Sequence, residues 1–189
     1  MRNRGFINQR EPKAEIKWTE LESPAGTLLL CRTDDGICRL DFGGWSEREP
    51  FLAAWARQWW RDFAFVRAAD DSMLKDTIRQ LADYFRGNTT EFKVPLDMRG
   101  TVFQRRVWEA LCDVGYGSTA SYRDIAAAIG QPKAVRAVGG ANNRNPVPII
   151  VPCHRIIGAN GALVGYGGGL DVKERLLALE RTKAKAAVE

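Results

Sequence analysis

Three prolines within seven residues, Pro146, Pro148 and Pro152, constrain this chain more than any other feature. Each fixes its own φ and lacks a backbone N–H, so the run Asn145-Pro146-Val147-Pro148-Ile149-Ile150-Val151-Pro152-Cys153-His154-Arg155 is denied helix. Pro146 and Pro148 hold the chain extended, and Ile149 to Val151 is expected as a short buried strand. Pro152 ends it, which puts Cys153 at a strand end or turn, where reactive groups are commonly carried. Cys153 precedes His154, the only histidine. Neighbouring side chains of an extended chain point to opposite faces. The pair therefore needs a turn, a bridging water or both to communicate. A thiolate is a nucleophile, and a nearby imidazole lowers the thiol pKa. Glu180, on an expected last helix, is the candidate third group that orients the imidazole. Taken alone, the Cys-His adjacency is more often structural, because cysteine is commonly buried.

The flanking sequence divides in two. Residues 15–42 read as strands: Ile16 to Leu21 alternates, and Thr27 to Cys31 and Ile37 to Phe42 flank an Asp35-Gly36 turn, a hairpin signal. Phe51, Leu52, Trp55, Trp59 and Trp60 predict an amphipathic helix over residues 47–62, with core packing the commoner reason for such aromatics. Leu74, Ile78, Leu81 and Phe85 predict a helix from Ser72 that stops at Gly87. Residues 88–100 read as a linker. The expected fold class is α/β (α+β): a small N-terminal α/β domain with antiparallel strands over residues 1–95, with residues 1–13 a flexible tail. A mostly helical C-terminal domain with a helix-turn-helix follows over residues 96–189.

In the second half, Thr101 to Gln104 is a capping-box start, and Phe103, Val107, Trp108 and Leu111 form an apolar face. A short helix from Ser121 to Ile129, the Gly130-Gln131-Pro132 turn and a helix from about Lys133 to Asn143 have the shape of a helix-turn-helix. The second helix presents small residues, Ala134, Ala137 and Gly140, instead of the Asn, Gln and Arg that read base edges. Two readings of that face stay open: close approach to DNA with little sequence discrimination, or close helix packing. Arg136 could bind phosphate or fill the gap left by a flipped base, or be a solvated surface cation. Beyond Cys153, Ile156 to Val164 looks like a hairpin. Gly165-Tyr166-Gly167-Gly168-Gly169 could shape a pocket for a planar base or link into a final helix that starts at Asp171 and is capped by Glu174.

Charge sharpens the division. The first hundred residues balance 16 basic against 16 acidic residues, and the remaining 89 carry 12 against 7, so the whole +5 excess lies in the second half. This suits a polyanionic partner without identifying one. No apolar run is long enough to span a bilayer, and Met1 to Lys13 lacks a secretory signal, so a cytoplasmic protein with reduced thiols is expected. Cys31 and Cys38 read as small buried hydrophobes and Cys112 as helix core. One histidine and no CxxC pair argue against a zinc site.

Tyr122, Arg136, Asn145, Pro152-Cys153-His154-Arg155, Tyr166 and Glu180, in that order, resemble the O6-alkylguanine-DNA alkyltransferases (methylated-DNA–protein-cysteine methyltransferases), most densely over residues 101–180. The stand-alone constitutive bacterial type matches best. The resemblance implies double-stranded DNA containing O6-alkylguanine as partner, a monomer in solution with cooperative assembly on DNA left open, and no cofactor or metal. It implies that Cys153 accepts the alkyl group once, irreversibly, and that His154 activates it through a water while Glu180 holds His154. Asn145 would brace the turn, Tyr122 would donate to the flipped base, and Arg136 would replace the flipped nucleotide. Ala134, Ala137, Gly140, Tyr122 and Arg123 would face DNA, and Tyr166, Gly167, Gly168, Ile156 and Arg155 would line the pocket. Gly167 stands where some members carry serine, so a side-chain contact is lost there. A cysteine hydrolase built on Cys153, His154 and Glu180 is the catalytic alternative, and a DNA-binding regulator or damage sensor the non-catalytic one.

Overall fold

The computed structural model describes residues 13–186; all but the last residue of the expected N-terminal tail lies outside the described residues. Strands β1 (Ala14–Ser23), β2 (Gly26–Thr33) and β3 (Gly36–Phe42) form an antiparallel meander, followed by helix α1 (Trp45–Ala56), strand β4 (Phe63–Arg67) and helix α2 (Ser72–Arg86). The sheet order is β3-β2-β1-β4. The Asp35-Gly36 hairpin forms as expected. The β4 strand does not follow from the periodicity, and it pairs parallel to β1, Ala14 opposite Phe63 through Trp18 opposite Arg67, so the sheet is mixed.

The reason lies at the end of α1. The expected helix to residue 62 stops at Ala56, and the chain turns so that Trp60 lies edge-on to Trp55, 5.4 Å between ring centres. Trp59 and Trp60 mimic a helical period that the turn interrupts. Leu52 and Ala56 are the residues α1 buries.

The sheet is covered on both faces, which is why β2 reads as an unbroken apolar run. Leu28, Leu30, Ile37 and Leu40 face α2 and the second half of the chain. Leu29, Cys31, Cys38, Ile16 and Trp18 face α1, with Trp18 stacked on Trp45 at 4.1 Å. Cys31 and Cys38 are buried as expected, whereas Cys112 sits exposed at the end of its helix instead of in a core.

Helix α2 is anchored at its start. Asp71 caps the amides of Met73 and Leu74 at 3.1 and 3.2 Å and pairs with the Arg32 guanidinium from the sheet. The Arg32 hydrogen bond, set against the upward push of burial and helped by Leu74 N–H, holds the Asp71 carboxyl at about 2. Gly87, at φ 73°, closes the helix in the left-handed conformation.

The segment after α2 is not a free linker. Ile37 N–H donates to Pro95 O at 2.8 Å and Asp97 N–H to Ile37 O at 2.9 Å, so residues 95–97 dock on the outer edge of β3. A side chain at Gly36 would stand 2.5 Å from Pro95 O, so this approach requires glycine.

The second half comprises α3 (Val102–Cys112), β5 (Ala120–Ser121), α4 (Tyr122–Ala128), α5 (Val135–Asn143), a 3₁₀ turn (Cys153–Arg155), β6 (Ile156–Ile157) and α6 (Leu170–Ala186). The Thr101 and Gln104 capping box forms, with reciprocal bonds of 3.2 and 2.8 Å. Ser121 and Asp124 make a second one at the start of α4. Gly130, at φ 71°, turns α4 into α5, and Ile125, Ile129, Val138 and Ala141 pack between them and α3. The chain turns at Gly158–Ala162, where Gly158 N–H donates to Ala162 O at 2.8 Å, but the expected Ile156–Val164 strand pair does not form: β6 pairs parallel with β5, Ala120 opposite Ile156 and Ser121 opposite Ile157. Helix α6 begins at Leu170, and no Glu174 side-chain capping bond is present among the described residues. No helix is long and apolar enough to cross a membrane, among the described residues.

Candidate active site

The three prolines shape the site, though not as a strand. With no N–H at 146, 148 or 152 the segment cannot enter a ladder, so its remaining donors bond locally. Val147 N–H donates to Asn145 Oδ1 at 3.0 Å, and Val151 N–H donates to Val147 O at 2.9 Å. Asn145 Nδ2 donates to Val151 O at 2.8 Å, so one side chain staples both ends of the loop. Ile149 sits at the tip with φ 73°. A β-branched residue in the left-handed region is strained, by about 1–2 kcal/mol. Burial holds it there: Ile149 is 1% exposed. The expected Ile149–Val151 strand is therefore a tight turn. Leu40 N–H, from β3, holds it from outside by donating to Pro146 O at 2.9 Å.

Cys153 opens the 3₁₀ turn that follows, with its N–H on Val151 O at 2.8 Å. In a 3₁₀ turn successive side chains stand about 120° apart. Cys153 therefore faces a small cavity of about 30 Å³ lined by Asn142, Asn143, Asn145, Pro148, Gly165, Tyr166 and Gly167. His154 turns inward and is fully buried. Its Nε2 lies 2.8 Å from Glu180 Oε1.

Glu180 is the hub. Its carboxylate accepts from His154, from Tyr84 Oη at 2.8 Å, from Arg155 Nε and Nη2 at 2.9 and 3.0 Å, and from Gly117 N–H at 3.1 Å. Burial pushes this carboxyl up, but the bonds from His154 and Arg155 outweigh it and hold it at about 2. The group is thus an anion, and Arg155 supplies the balancing charge. Burial drives the His154 pKa below its ordinary value despite the pull of Glu180. A neutral imidazole beside an acceptor-only carboxylate must carry its proton on Nε2. Its other nitrogen, Nδ1, is then a lone-pair acceptor, buried with no partner among the described residues. Burial pushes the Cys153 thiol up to about 11, against the lowering effect of the Asn145 amide and the Lys173 ammonium. The resting group is a thiol that needs a base to become a nucleophile.

The remaining expected residues separate into three groups. Tyr122, the first residue of α4, donates to Val164 O at 3.3 Å, and burial and the nearby thiol raise its pKa. Tyr166 lines the cavity with its hydroxyl buried and unpartnered among the described residues, its ring between His154 and Phe42. Arg123, Arg136 and Ala137 are exposed and Ala134 and Gly140 half-buried. Neither arginine makes an ion pair among the described residues. Arg155, Ile156 and Gly168 do not line the cavity: Arg155 faces Glu180 and Val114 O, Ile156 is buried in β6, and Gly168 lies against the Phe42 ring.

Two side chains escape the sequence reading. Lys173 is fully buried and donates to Ile156 O at 2.6 Å and Val164 O at 2.9 Å, tying the floor of the site to the glycine-rich loop. It shares the buried stripe of α6 with Leu176, Leu177 and Glu180, a spacing of three, four and seven that signals one face. Two charged residues on that stripe are the available sequence cue. Tyr84 is the other, brought from α2 in the first half. The described residues hold no cluster of metal-binding side chains.

Comparison with known proteins finds a match for each half of the chain. Residues 16–98 match the ribonuclease-like domain of 6-O-methylguanine DNA methyltransferase, and residues 102–182 match its DNA binding domain. The chain is 56% identical over 171 residues to a methylated-DNA–protein-cysteine methyltransferase of Mycobacterium bovis, covering 90% of this chain and 96% of the relative. It is 43% identical over 169 residues to a constitutive enzyme of that name from Bacillus subtilis, covering 89% and 97%. The crystal structure of Mycobacterium tuberculosis OGT in complex with DNA superposes with a TM-score of 0.73 at 41% identity, over 89% of this chain and 94% of that one. With both halves matched in order and relatives aligned almost end to end, the chain belongs to the 6-O-methylguanine DNA methyltransferase family.

Proposed function

We propose that this protein repairs alkylated DNA by direct reversal, moving one alkyl group from O6 of guanine to Cys153 of each molecule. The observation that carries the reading is the Cys153 thiol facing its cavity, next in the chain to a buried imidazole whose Nε2 is hydrogen-bonded to an ionised carboxylate.

The chemistry balances without a cofactor. His154 Nδ1 takes the Cys153 proton through a bridging water, and Glu180 and Arg155 steady the imidazolium that forms. The thiolate attacks the alkyl carbon, the S–C bond forms, and the C–O6 bond breaks with its electron pair passing to guanine. Tyr122 donates a proton to the departing base and regains one from the imidazolium. The thioether product is stable, so the protein is consumed. Asn145 keeps the turn that aims Sγ, and Tyr166 and Gly167 border the base.

The partner is DNA, and the lesion is read in a flipped base. The cavity that Cys153 faces is small and bordered by Gly165, Tyr166 and Gly167 of the glycine-rich loop. Arg136 and Ala137, exposed on α5, lie against the duplex, with Ala134 and Gly140 permitting close approach and Arg123 on phosphate. Residues 1–95 and 96–189 act as two domains of one monomer. All four cysteines are free thiols, which suits a reducing cytoplasm.

The test is stoichiometry. Increasing amounts of duplex carrying O6-methylguanine are incubated with a fixed amount of protein, and the remaining lesion is counted. Loss should level off at one lesion per protein. Continued turnover points to a hydrolase, and no loss despite DNA binding points to a damage sensor.

A further inference from the structure

We propose that Tyr84 is a positioning residue of the alkyl-transfer site: its hydroxyl holds Glu180 and, through Glu180, sets the ring orientation and proton position of His154. The inference rests on the assignment of Cys153 and His154 above. It gives the first half of the chain a part in the chemistry.

Tyr84 is held by burial, by its helix and by its ring contacts. It is fully buried on α2, on the same face as Leu74 and Leu81. The helix is locked at its start by Asp71 to the sheet residues Arg32 and Lys17. The ring packs against Phe85, Phe92 and Tyr116. Its hydroxyl stands 2.8 Å from Glu180 Oε1 and 3.5 Å from His154 Nε2.

A tyrosine hydroxyl has one proton, and the carboxylate can only accept. The shorter contact therefore takes the proton. Tyr84 has none left for Nε2, so the imidazole must bring its own proton to Oε1. The tautomer with Nδ1 unprotonated, buried and without a partner among the described residues, is the one this geometry allows. Tyr84 shares Oε1 of Glu180 with His154 and Arg155.

Among the described residues, the charged or titratable groups that face the pair come from four segments. Glu180 and Lys173 come from α6, Arg155 and Cys153 from the 3₁₀ turn, Tyr116 from the loop after α3, and Tyr166 from the glycine-rich loop. Among the described residues, Tyr84 and Arg155 are the side chains that donate to the carboxylate along with His154. Removing the Tyr84 proton leaves a more basic carboxylate, which favours the imidazolium. The His154 midpoint therefore rises.

The first half touches the site at two more places: Leu40 N–H on Pro146 O, and the Phe42 ring against Tyr166 and Gly168. Tyr84 is the contact that reaches the proton path itself.

Because the chain has a single histidine, ¹⁵N NMR of the labelled imidazole reads this one ring without ambiguity. In the unaltered protein, Nε2 should carry the proton and Nδ1 should show the shift of an unprotonated nitrogen. The opposite tautomer overturns the proposal without any variant. Tyr84→Phe keeps the ring and removes the hydroxyl. Its His154 midpoint should rise by up to about one pH unit, the scale of one hydrogen bond to a charged group. The acid limb of Cys153 alkylation by iodoacetamide should move with it. A folded Tyr84→Phe with a lower melting temperature but an unmoved midpoint and limb makes Tyr84 a packing residue only and overturns the proposal. Neither readout uses DNA. Failure of alkyl transfer from guanine would thus be seen separately from failure of the Tyr84 coupling.

Discussion

Glu180→Gln isolates the group on which the site turns. Glu180 is fully buried and receives five hydrogen bonds, two of them from the Arg155 guanidinium. Gln keeps the volume but removes the charge and turns two acceptor positions into donors. At least one N–H then faces another donor, and Arg155, 6% exposed, loses its counter-charge. The cost follows two routes. The carboxyl lies at about 2 instead of its ordinary 4.5. At about 1.36 kcal/mol per pH unit the shift corresponds to about 3 kcal/mol. Breaking a buried ion pair by removing one partner costs about 3–5 kcal/mol. The two agree on a loss near 3 kcal/mol, a large share of the stability of roughly 5–15 kcal/mol typical of a domain. Because the folded-state pKa is depressed, this contribution is present above about 4.5 and fades as pH falls toward 2. Urea unfolding at pH 7 and at pH 4 checks both magnitude and sign: the gap between wild type and Glu180→Gln should be about 3 kcal/mol at pH 7 and smaller at pH 4. Alkyl transfer at pH 7 should fall by about 10²–10⁴, the usual contribution of a positioned base. A difference below about 1 kcal/mol at pH 7, or one that widens on acidification, would refute the buried-anion reasoning.

Other perturbations separate the parts of the site. Lys173→Met removes the ammonium that lowers the Cys153 thiol; the midpoint of iodoacetamide alkylation should move to higher pH, and an unmoved midpoint would show that the charge does not reach the sulfur. Arg136→Ala should slow repair of duplex O6-methylguanine and lower the salt dependence of binding by roughly one ion, while leaving the iodoacetamide rate of Cys153 unchanged. Ile149→Gly relieves about 1–2 kcal/mol of left-handed strain but forfeits a buried side chain worth about 2–5 kcal/mol. Thermal unfolding should therefore show a net loss of about 1–3 kcal/mol, and a gain would mean that strain dominates.

Features set by short-range rules could be read before the fold was known. The Asp35-Gly36 hairpin, the Thr101 and Gln104 capping box and the Gly130 turn depend on residues within a few positions of one another. The reactive motif was legible because three prolines and a Cys-His pair are rare together. What escaped depends on distant partners. Strand β4 exists because Ala14 to Trp18 offers it an edge, and Ile156-Ile157 pairs with Ala120-Ser121 instead of folding back on Leu163-Val164. The turn at Ile149 needs a conformation that β-branched residues avoid, so local propensity points away from it. Tyr84 lies 96 positions from Glu180 and reads locally as one more aromatic beside Phe85. Arg155 reads as a pocket residue from its place next to the motif, yet the 3₁₀ turn swings it toward Glu180.

Transfer of the alkyl group to Cys153 is tested most directly by intact mass. The protein is mixed with a duplex bearing O6-methylguanine, weighed, digested and mapped. A gain of one methyl group, confined to Cys153 and absent from Cys153→Ser, is the predicted result. A methyl group on Cys31, Cys38 or Cys112, or an unchanged mass while the lesion disappears, would contradict it.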